Sequence, residues 1–305
     1  MNPFPLFAEQ FPVTPIVTDS TIAAGVHLSV LRLDLIHPIV SGNKLYKLFY
    51  FLQKTQTSSH RTVLTFGGAF SNHLVATAYA CQALGLRSIG VVRGQEAAMH
   101  PSHTLALCTQ YHMQLHYVSR EQYKERGNKD FLNNLASQFG DFDVIPEGGF
   151  SEPGAYGAAG IVEQRVLQNC QHICVCTGTN TTLAGLLQKT TATQTVHAFP
   201  ALKGSTDTVE TVLQLNGAQF KSKLVIHDQY HFGGYAKHNN SLIQFMNDLY
   251  AQTNLPTDKV YTAKMMYGIL AAIDKGFFEV NSTIVAIHTG GLQGNASLPA
   301  GTLIY

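Results

Sequence analysis

Three short polar segments hold the residues best suited to chemistry. They are Ser41-Gly42-Asn43-Lys44, Ser71-Asn72-His73 after Thr65-Phe66-Gly67-Gly68, and Thr177-Gly178-Thr179-Asn180-Thr181-Thr182 after Ile173-Cys174-Val175-Cys176. Each is a glycine-bearing loop between an apolar run of strand character and a run of helical character. Lys44 offers an amine, a nucleophile toward carbonyl carbon once it is deprotonated. The second segment offers a hydroxyl, an amide and an imidazole. The third opens a helix near Leu183, and free N–H groups at a helix N-terminus favour an anion by roughly 0.3–1 kcal/mol when exposed. The small Gly178 and the threonine hydroxyls would let several donors meet on one phosphate, although a Thr-rich helix cap explains that loop taken alone. An amine nucleophile, a hydroxyl and amide loop and a phosphate cradle together suggest pyridoxal phosphate chemistry. Neither GxxxxGK[ST] nor GxGxxG occurs, which sets aside P-loop and dinucleotide sites.

The elements that must position these loops alternate along the chain. Strand candidates are Thr62–Phe66, Ser88–Val92, Leu115–Val118, Val144–Pro146, Ile173–Cys176, Val196–Phe199, Leu224–His227 and Ile284–His288. Helix candidates include Leu45–Leu52, Ser71–Leu84, His103–His112, Glu121–Gln138, Tyr156–Leu167, Thr182–Gln188, Asn240–Tyr250 and Ala263–Lys275. Strand and helix joined by short links predict α/β architecture, with parallel sheets flanked by helices. Gly-Gly pairs begin at 67, 148, 233 and 290, mostly where strand candidates end. One such pair merely ends a strand. Several together favour a shared cleft at the carboxyl ends, where open α/β sheets bind ligands.

Composition excludes several classes. The 305 residues are 45% apolar and 13% charged, which predicts a compact protein large enough for two domains. A net charge of +1 without blocks of one sign gives no footing for nucleic acid or an anionic membrane. No apolar run reaches the ~20 residues of a membrane span, and the start lacks signal-peptide character. A cytoplasmic location is therefore expected. The five cysteines include Cys170, Cys174 and Cys176 near His172. Alternation with Val175 favours buried thiols over metal ligands, and no metal is expected.

Six markers in order give the chain a family likeness. They are Ser41-Gly42-Asn43-Lys44 with Lys47, Gly67-Gly68 with Ser71-Asn72-His73, Pro146 with Gly148-Gly149, Thr177-Gly178-Thr179, Val260-Tyr261-Thr262 with Lys264, and His288-Thr289-Gly290-Gly291. From about Leu31 onward the chain resembles the D-cysteine desulfhydrase and 1-aminocyclopropane-1-carboxylate deaminase family. That family belongs to the fold type II pyridoxal phosphate enzymes, which are tryptophan synthase β-like. The resemblance implies a Schiff base on Lys44, which would also move protons, with Lys47 as its decoy. It implies that Asn72 bonds the cofactor's phenolate oxygen. Ser71, Asn72 and His73 would bind the substrate carboxylate, with Ser71 open to acid/base work. Thr177, Gly178, Thr179, Asn180 and Thr181 would hold the phosphate. Tyr261 would stack on the ring, with Thr262 beside it, and Thr289 would face the substrate. Tyr235 matches a substrate-facing tyrosine, although a core aromatic suits it nearly as well.

Two positions bear on the substrate. Deaminases of the family carry Tyr-Glu and His-Leu-Gly-Gly, whereas the desulfhydrases carry Tyr-Thr and His-Thr-Gly-Gly. This chain has Tyr261-Thr262 and His288-Thr289. If Thr262 faces the pyridine nitrogen, a neutral hydroxyl stands where a glutamate would deepen the electron sink. That suits loss of a good leaving group better than rupture of a ring C–C bond. Tyr46, Phe49, Ala69 and Phe70 depart from the family pattern. The expected protein is a two-domain lyase, with 1–45 and 145–305 as the large unit, 46–144 as the smaller one, and the cofactor in the cleft between them. Its expected reaction is β-elimination of D-cysteine, or a similar β-substituted amino acid, to pyruvate, ammonia and sulfide. The alternatives are the family's deaminase and a pyridoxal phosphate-retaining protein without turnover. Expected partners are a small amino acid and a second copy of the chain in a homodimer, with no nucleic acid and no membrane.

Overall fold

The computed structural model describes residues 10–217 and 219–305. Two sheets organise it. The larger has six strands in the order β1 (Val13–Ile16), β2 (His27–Leu31), β10 (Thr283–Ile287), β7 (His172–Thr177), β8 (Thr195–Pro200) and β9 (Lys223–Ile226). The smaller has four, in the order β5 (Gln114–Val118), β4 (Arg87–Arg93), β3 (Thr62–Gly68) and β6 (Asp143–Ile145). Every pairing is parallel except β1 with β2. Parallel strands are covered on both faces, and the central ones accordingly read as continuous apolar runs. β3 is buried from Thr62 to Gly67, and β7 from Ile173 to Thr177. The antiparallel β1 lies outside the strands expected from the sequence. It is a four-residue edge strand containing Pro15, so neither length nor propensity marks it.

The helices are α1 (Asp19–Ala24), α2 (Asn43–Thr57), α3 (Asn72–Ala83), α4 (His103–Gln110), α5 (Arg120–Lys124), α6 (Lys129–Phe139), α7 (Glu152–Ala159), α8 (Arg165–Gln168), α9 (Thr181–Lys189), α10 (Thr208–Asn216), α11 (Asn240–Thr253) and α12 (Thr262–Asp274). Side-chain caps fix several starts. Ser71 accepts from Leu74 N–H at the start of α3, and Ser102 caps α4 in the same way. The run expected as one helix over 121–138 is two, because Asn128 accepts from Asp130 N–H and restarts the chain as α6. The run expected over 156–167 starts earlier, at the Ser151 cap with a proline in the first turn, and is broken before α8.

The expected boundary at 45/46 falls inside α2. Leu45, Tyr46, Leu48 and Leu52 share one core cluster with Val63 of the small sheet, Ala76 of α3, Ala155 and Ala158 of α7, and Val175 of the large sheet. That helix therefore joins the two sheets. Among the described residues, no helix is long and apolar enough to cross a membrane.

Candidate active site

A cavity of about 530 Å3 lies where the carboxyl ends of β3 and β7 face the start of α2. A hollow of about 490 Å3 beneath β1, β2 and β10 is mainly apolar and includes no amine or carboxylate among its lining residues. Chemistry therefore belongs to the first cavity, into which all three polar segments open.

Lys44 enters it from the first turn of α2. Gly42, at φ +68°, lies so close to the opposite loop that a Cβ would fall 1.9 Å from the Thr289 carbonyl oxygen. Only glycine permits this contact. Gly290 returns it, since a Cβ there would stand 2.7 Å from Ser41 Oγ. Asn43 ties the corner together. Its N–H donates to Thr289 O at 3.3 Å, and its Nδ2 donates to Thr182 Oγ1 at 2.7 Å. Lys44 Nζ donates to Asn43 Oδ1 at 2.7 Å. Burial lowers the Lys44 pKa, and the neighbouring Cys176 and Asp258 partly oppose the shift. Lys47, one turn on, is also buried and lines the cavity. Burial first, and the Lys44 charge second, push its pKa well below the ordinary value. No acceptor meets its amino group among the described residues.

Beyond β3, Ser71 folds back against Gly67, whose Cβ would come within 2.7 Å of its Oγ. The Asn72 Oδ1 is buried without a partner among the described residues. His73 Nε2 lies 2.9 Å from Thr65 Oγ1, and that hydroxyl donates to Ile145 O at 2.7 Å. Thr65 can then only accept from the imidazole, which assigns the proton to Nε2. Nδ1 is left as a bare, buried lone pair. Burial, with Lys47 and Lys44 nearby, pushes the His73 pKa down to about 3, so the ring is neutral.

The third segment turns from β7 into α9 through Asn180 at φ +58°. Its first-turn N–H groups have no acceptor within the helix. Thr179 and Thr181 share a hydroxyl contact at 2.9 Å. Gly178 lies beneath Tyr261, so that a Cβ would stand 3.1 Å from the phenol oxygen. Tyr261 meets Tyr235 edge to face at 6.1 Å between centroids. Tyr235 is 49% exposed at the mouth and lines the cavity, unlike a core aromatic.

One expected site residue stands elsewhere. Thr262 is buried and absent from the cavity lining. Its Oγ1 donates to Asp258 Oδ1 at 2.7 Å and accepts from Asp258 N–H at 2.7 Å, closing the first turn of α12. The hydroxyl that does line the cavity is that of Thr289, 3.0 Å from Cys176 Sγ. Burial pushes the Cys176 pKa up to about 12, so the thiol stays protonated and can donate to Thr289. Sequence reasoning missed Asn43, Cys176, Arg93 and Glu147 as lining residues and treated Lys47 only as a decoy. For Asn43 and Lys47 the signal was present in the Lys44 motif. For Cys176 there was none, because a buried strand thiol looks the same whatever its open end faces.

These features fit a phosphorylated pyridine aldehyde. The site has a buried amine of lowered pKa, a second buried lysine whose pKa is also lowered, a carboxamide in the first turn of α3 and a helix N-terminus lined with hydroxyls. A family model described as pyridoxal-phosphate dependent enzyme matches residues 9–290. The bifunctional D-cysteine desulfhydrase/1-aminocyclopropane-1-carboxylate deaminase of Arabidopsis thaliana is 28% identical over 295 residues, covering 88% of this chain and 73% of that protein. A Pyrococcus furiosus protein, provisionally assigned as a 1-aminocyclopropane-1-carboxylate deaminase, is 29% identical over 290 residues, covering 88% of this chain and 86% of its own. A crystal structure described as an ACC deaminase homologue superimposes with TM-score 0.78 at 25% identity, over 96% of this chain and 92% of that one.

Proposed function

Given that the chain belongs to the pyridoxal-phosphate-dependent enzyme family, we propose a lyase that removes a β-substituent from a small amino acid such as D-cysteine. The observation that carries this reading is the convergence of Lys44, Asn72 and the Thr177–Thr182 loop on one cavity. When bound, pyridoxal phosphate supplies an electron sink for charge developing at the substrate Cα. Lys44 is the covalent anchor and then the base for the Cα proton, and its lowered pKa supports both tasks. The loop N–H groups and hydroxyls would hold the phosphate, whose charge would favour the protonated form of Lys47 as its counter-ion. The Asn72 amide would turn its Nδ2 donor toward the phenolic oxygen. The N-terminus of α3, with Ser71 and His73, receives the substrate carboxylate. Ser71 can pass a proton to the departing group, and Tyr261 covers the ring. The chain's Thr289 hydroxyl offers a neutral partner at the cavity wall. Asp258 is no substitute, because three backbone N–H groups and the Thr262 hydroxyl already donate to it.

A neutral wall favours departure of thiolate over rupture of a cyclopropane bond. The names of the relatives favour 1-aminocyclopropane-1-carboxylate deamination as the second reading. A protein that keeps the cofactor without turnover is the third. Pyruvate release from D-cysteine, measured against 2-oxobutyrate release from 1-aminocyclopropane-1-carboxylate at equal concentration, tests the order. Faster 2-oxobutyrate release reverses it, and no product from either while the bound cofactor's spectrum responds selects the third reading.

The same reading divides the chain into 1–45 with 145–305 and 46–144 as units facing one cleft. It also includes a homodimer, to be checked by sedimentation, and a cytoplasmic location, which the five free, buried cysteines suit.

A further inference from the structure

Arg93 ends β4, in register with Gly68 at the end of β3. One guanidinium nitrogen lies 3.4 Å from where a Gly68 Cβ would stand, so the group rests over the start of the loop that leads to Ser71. The guanidinium also lies over the Tyr123 ring, 5.7 Å from its centroid. Arg93 lines the cavity, yet no hydrogen-bond acceptor or carboxylate partners it among the described residues. The only carboxylate among the lining residues, Glu147, is 3.3 Å from Arg126 Nε and is already engaged.

The other charges have assigned partners under the proposed function, on which this inference rests. Lys44 is the anchor and Lys47 faces the phosphate. The substrate's own carboxylate meets the N-terminus of α3, a twelve-residue helix capped by Ser71. Arg93 is left over, as a fork of donors suited to bidentate contact with an oxyanion. Phe70, Leu202 and Tyr235 also line the cavity and give it an apolar or aromatic wall, with Phe70 66% exposed. D-Cysteine, whose side-chain thiol is neutral near pH 7, has no second anion to offer Arg93.

We propose that the preferred substrate carries a second oxyanion beyond Cβ, such as a carboxylate, sulfonate or phosphate, and that Arg93 binds it. D-Cysteine is then a smaller member of the class. O-Phosphoserine is a suitable probe. Its Cα proton is removed, the Cβ–O bond breaks with the electron pair leaving on phosphate, and one water completes conversion to pyruvate, ammonia and phosphate.

The test compares the holoenzyme with its Arg93→Gln and Arg93→Lys variants on both enantiomers of O-phosphoserine and on β-chloroalanine, whose side chain is uncharged. Pyruvate release gives KM and kcat, and the visible spectrum of the bound cofactor reports binding independently. Arg93→Gln should raise KM for the productive O-phosphoserine about ten- to hundredfold, with kcat changed less than KM. The KM for β-chloroalanine should move less than twofold. Arg93→Lys should restore part of the loss, and added salt should weaken O-phosphoserine binding more than β-chloroalanine binding. An equal rise in KM for both substrates would assign Arg93 to the common carboxylate and overturn the inference. Unchanged constants would make it an ordinary surface arginine, also overturning it. Turnover of β-chloroalanine with no binding of O-phosphoserine would reject the second oxyanion while leaving the lyase reading intact. Silence of the spectrum toward every amino acid would remove that reading and this inference with it.

Discussion

At the scale of single residues, burial decides protonation. Lys44 and Lys47 are both held toward the neutral amine, but only Lys44 has a fixed orientation, through Asn43 Oδ1. Lys44→Ala should lower turnover about a thousandfold or more, since both the anchor and the base are lost. Borohydride reduction of the holoenzyme followed by peptide mapping should label Lys44, and a label on Lys47 or Lys264 would reject the assignment. The thiols follow the same logic. Burial pushes Cys81, Cys108, Cys170 and Cys176 up to about 12, leaving little thiolate at neutral pH. Native protein should therefore react slowly with thiol reagents and expose all five cysteines only in denaturant. Cys176 alone of them lines the cavity, so it should react first, and bound cofactor should slow its labelling. Labelling of Cys176 at the same rate with and without cofactor would contradict its place at the cavity wall.

At the scale of elements, two features invite tests. The first is the turn from β7 into α9. A side chain at Gly178 presses on Tyr261 and fills the space above the helix N-terminus. Gly178→Val should weaken cofactor retention on dialysis on the order of tenfold, about 1.4 kcal/mol. Retention equal to the parent's, with the fold intact, would return this loop to an ordinary helix cap. The second feature is a chain of imidazoles crossing the large sheet. His172 Nδ1 contacts His197 Nε2 at 3.0 Å, and His197 Nδ1 contacts His227 Nε2 at 3.0 Å. Burial, with the flanking histidines, pushes His197 down to about 3. Between that value and 6.5 the unfolded chain binds a proton that the folded chain refuses, so stability falls as pH drops through this window. The slope from this one site is at most about 1.4 kcal/mol per pH unit. His197→Gln cannot titrate, so its urea stability should decline less between pH 7 and pH 5. An unchanged decline would locate the acid sensitivity elsewhere.

At the scale of the whole molecule, the cavity draws on both sheets. Gly68 to His73 follow the small sheet, Thr177 to Thr182 follow the large one, and α2 shares its core with both. A ligand that bridges these parts stabilises them together. At a hundred times its dissociation constant, cofactor should add about 2.7 kcal/mol, or about 4 °C in Tm for a chain of this size. The Lys44→Ala variant should keep part of that shift, because the phosphate contacts survive. A protein that binds cofactor with no change in Tm would mean that the bridged parts unfold separately.

The residues by themselves determined the three polar segments, the α/β alternation and the family likeness, because those depend on local spacing and on the burial pattern of parallel strands. All eight expected strands are present, extended or trimmed by a residue or two. The splits in the helices over 121–138 and 156–167 depended on caps at Asn128 and Ser151, which compete with an unbroken apolar period. Tertiary structure alone decided which hydroxyl meets the cavity. Thr262 and Thr289 are alike in sequence terms, but Asp258 binds Thr262 into the start of α12, while Thr289, two residues past the end of β10, lies beside Cys176. It also decided that the Arg93 guanidinium meets no carboxylate among the described residues. A salt bridge is a relation between distant positions, and no spacing along the chain shows that Arg126 has already taken Glu147.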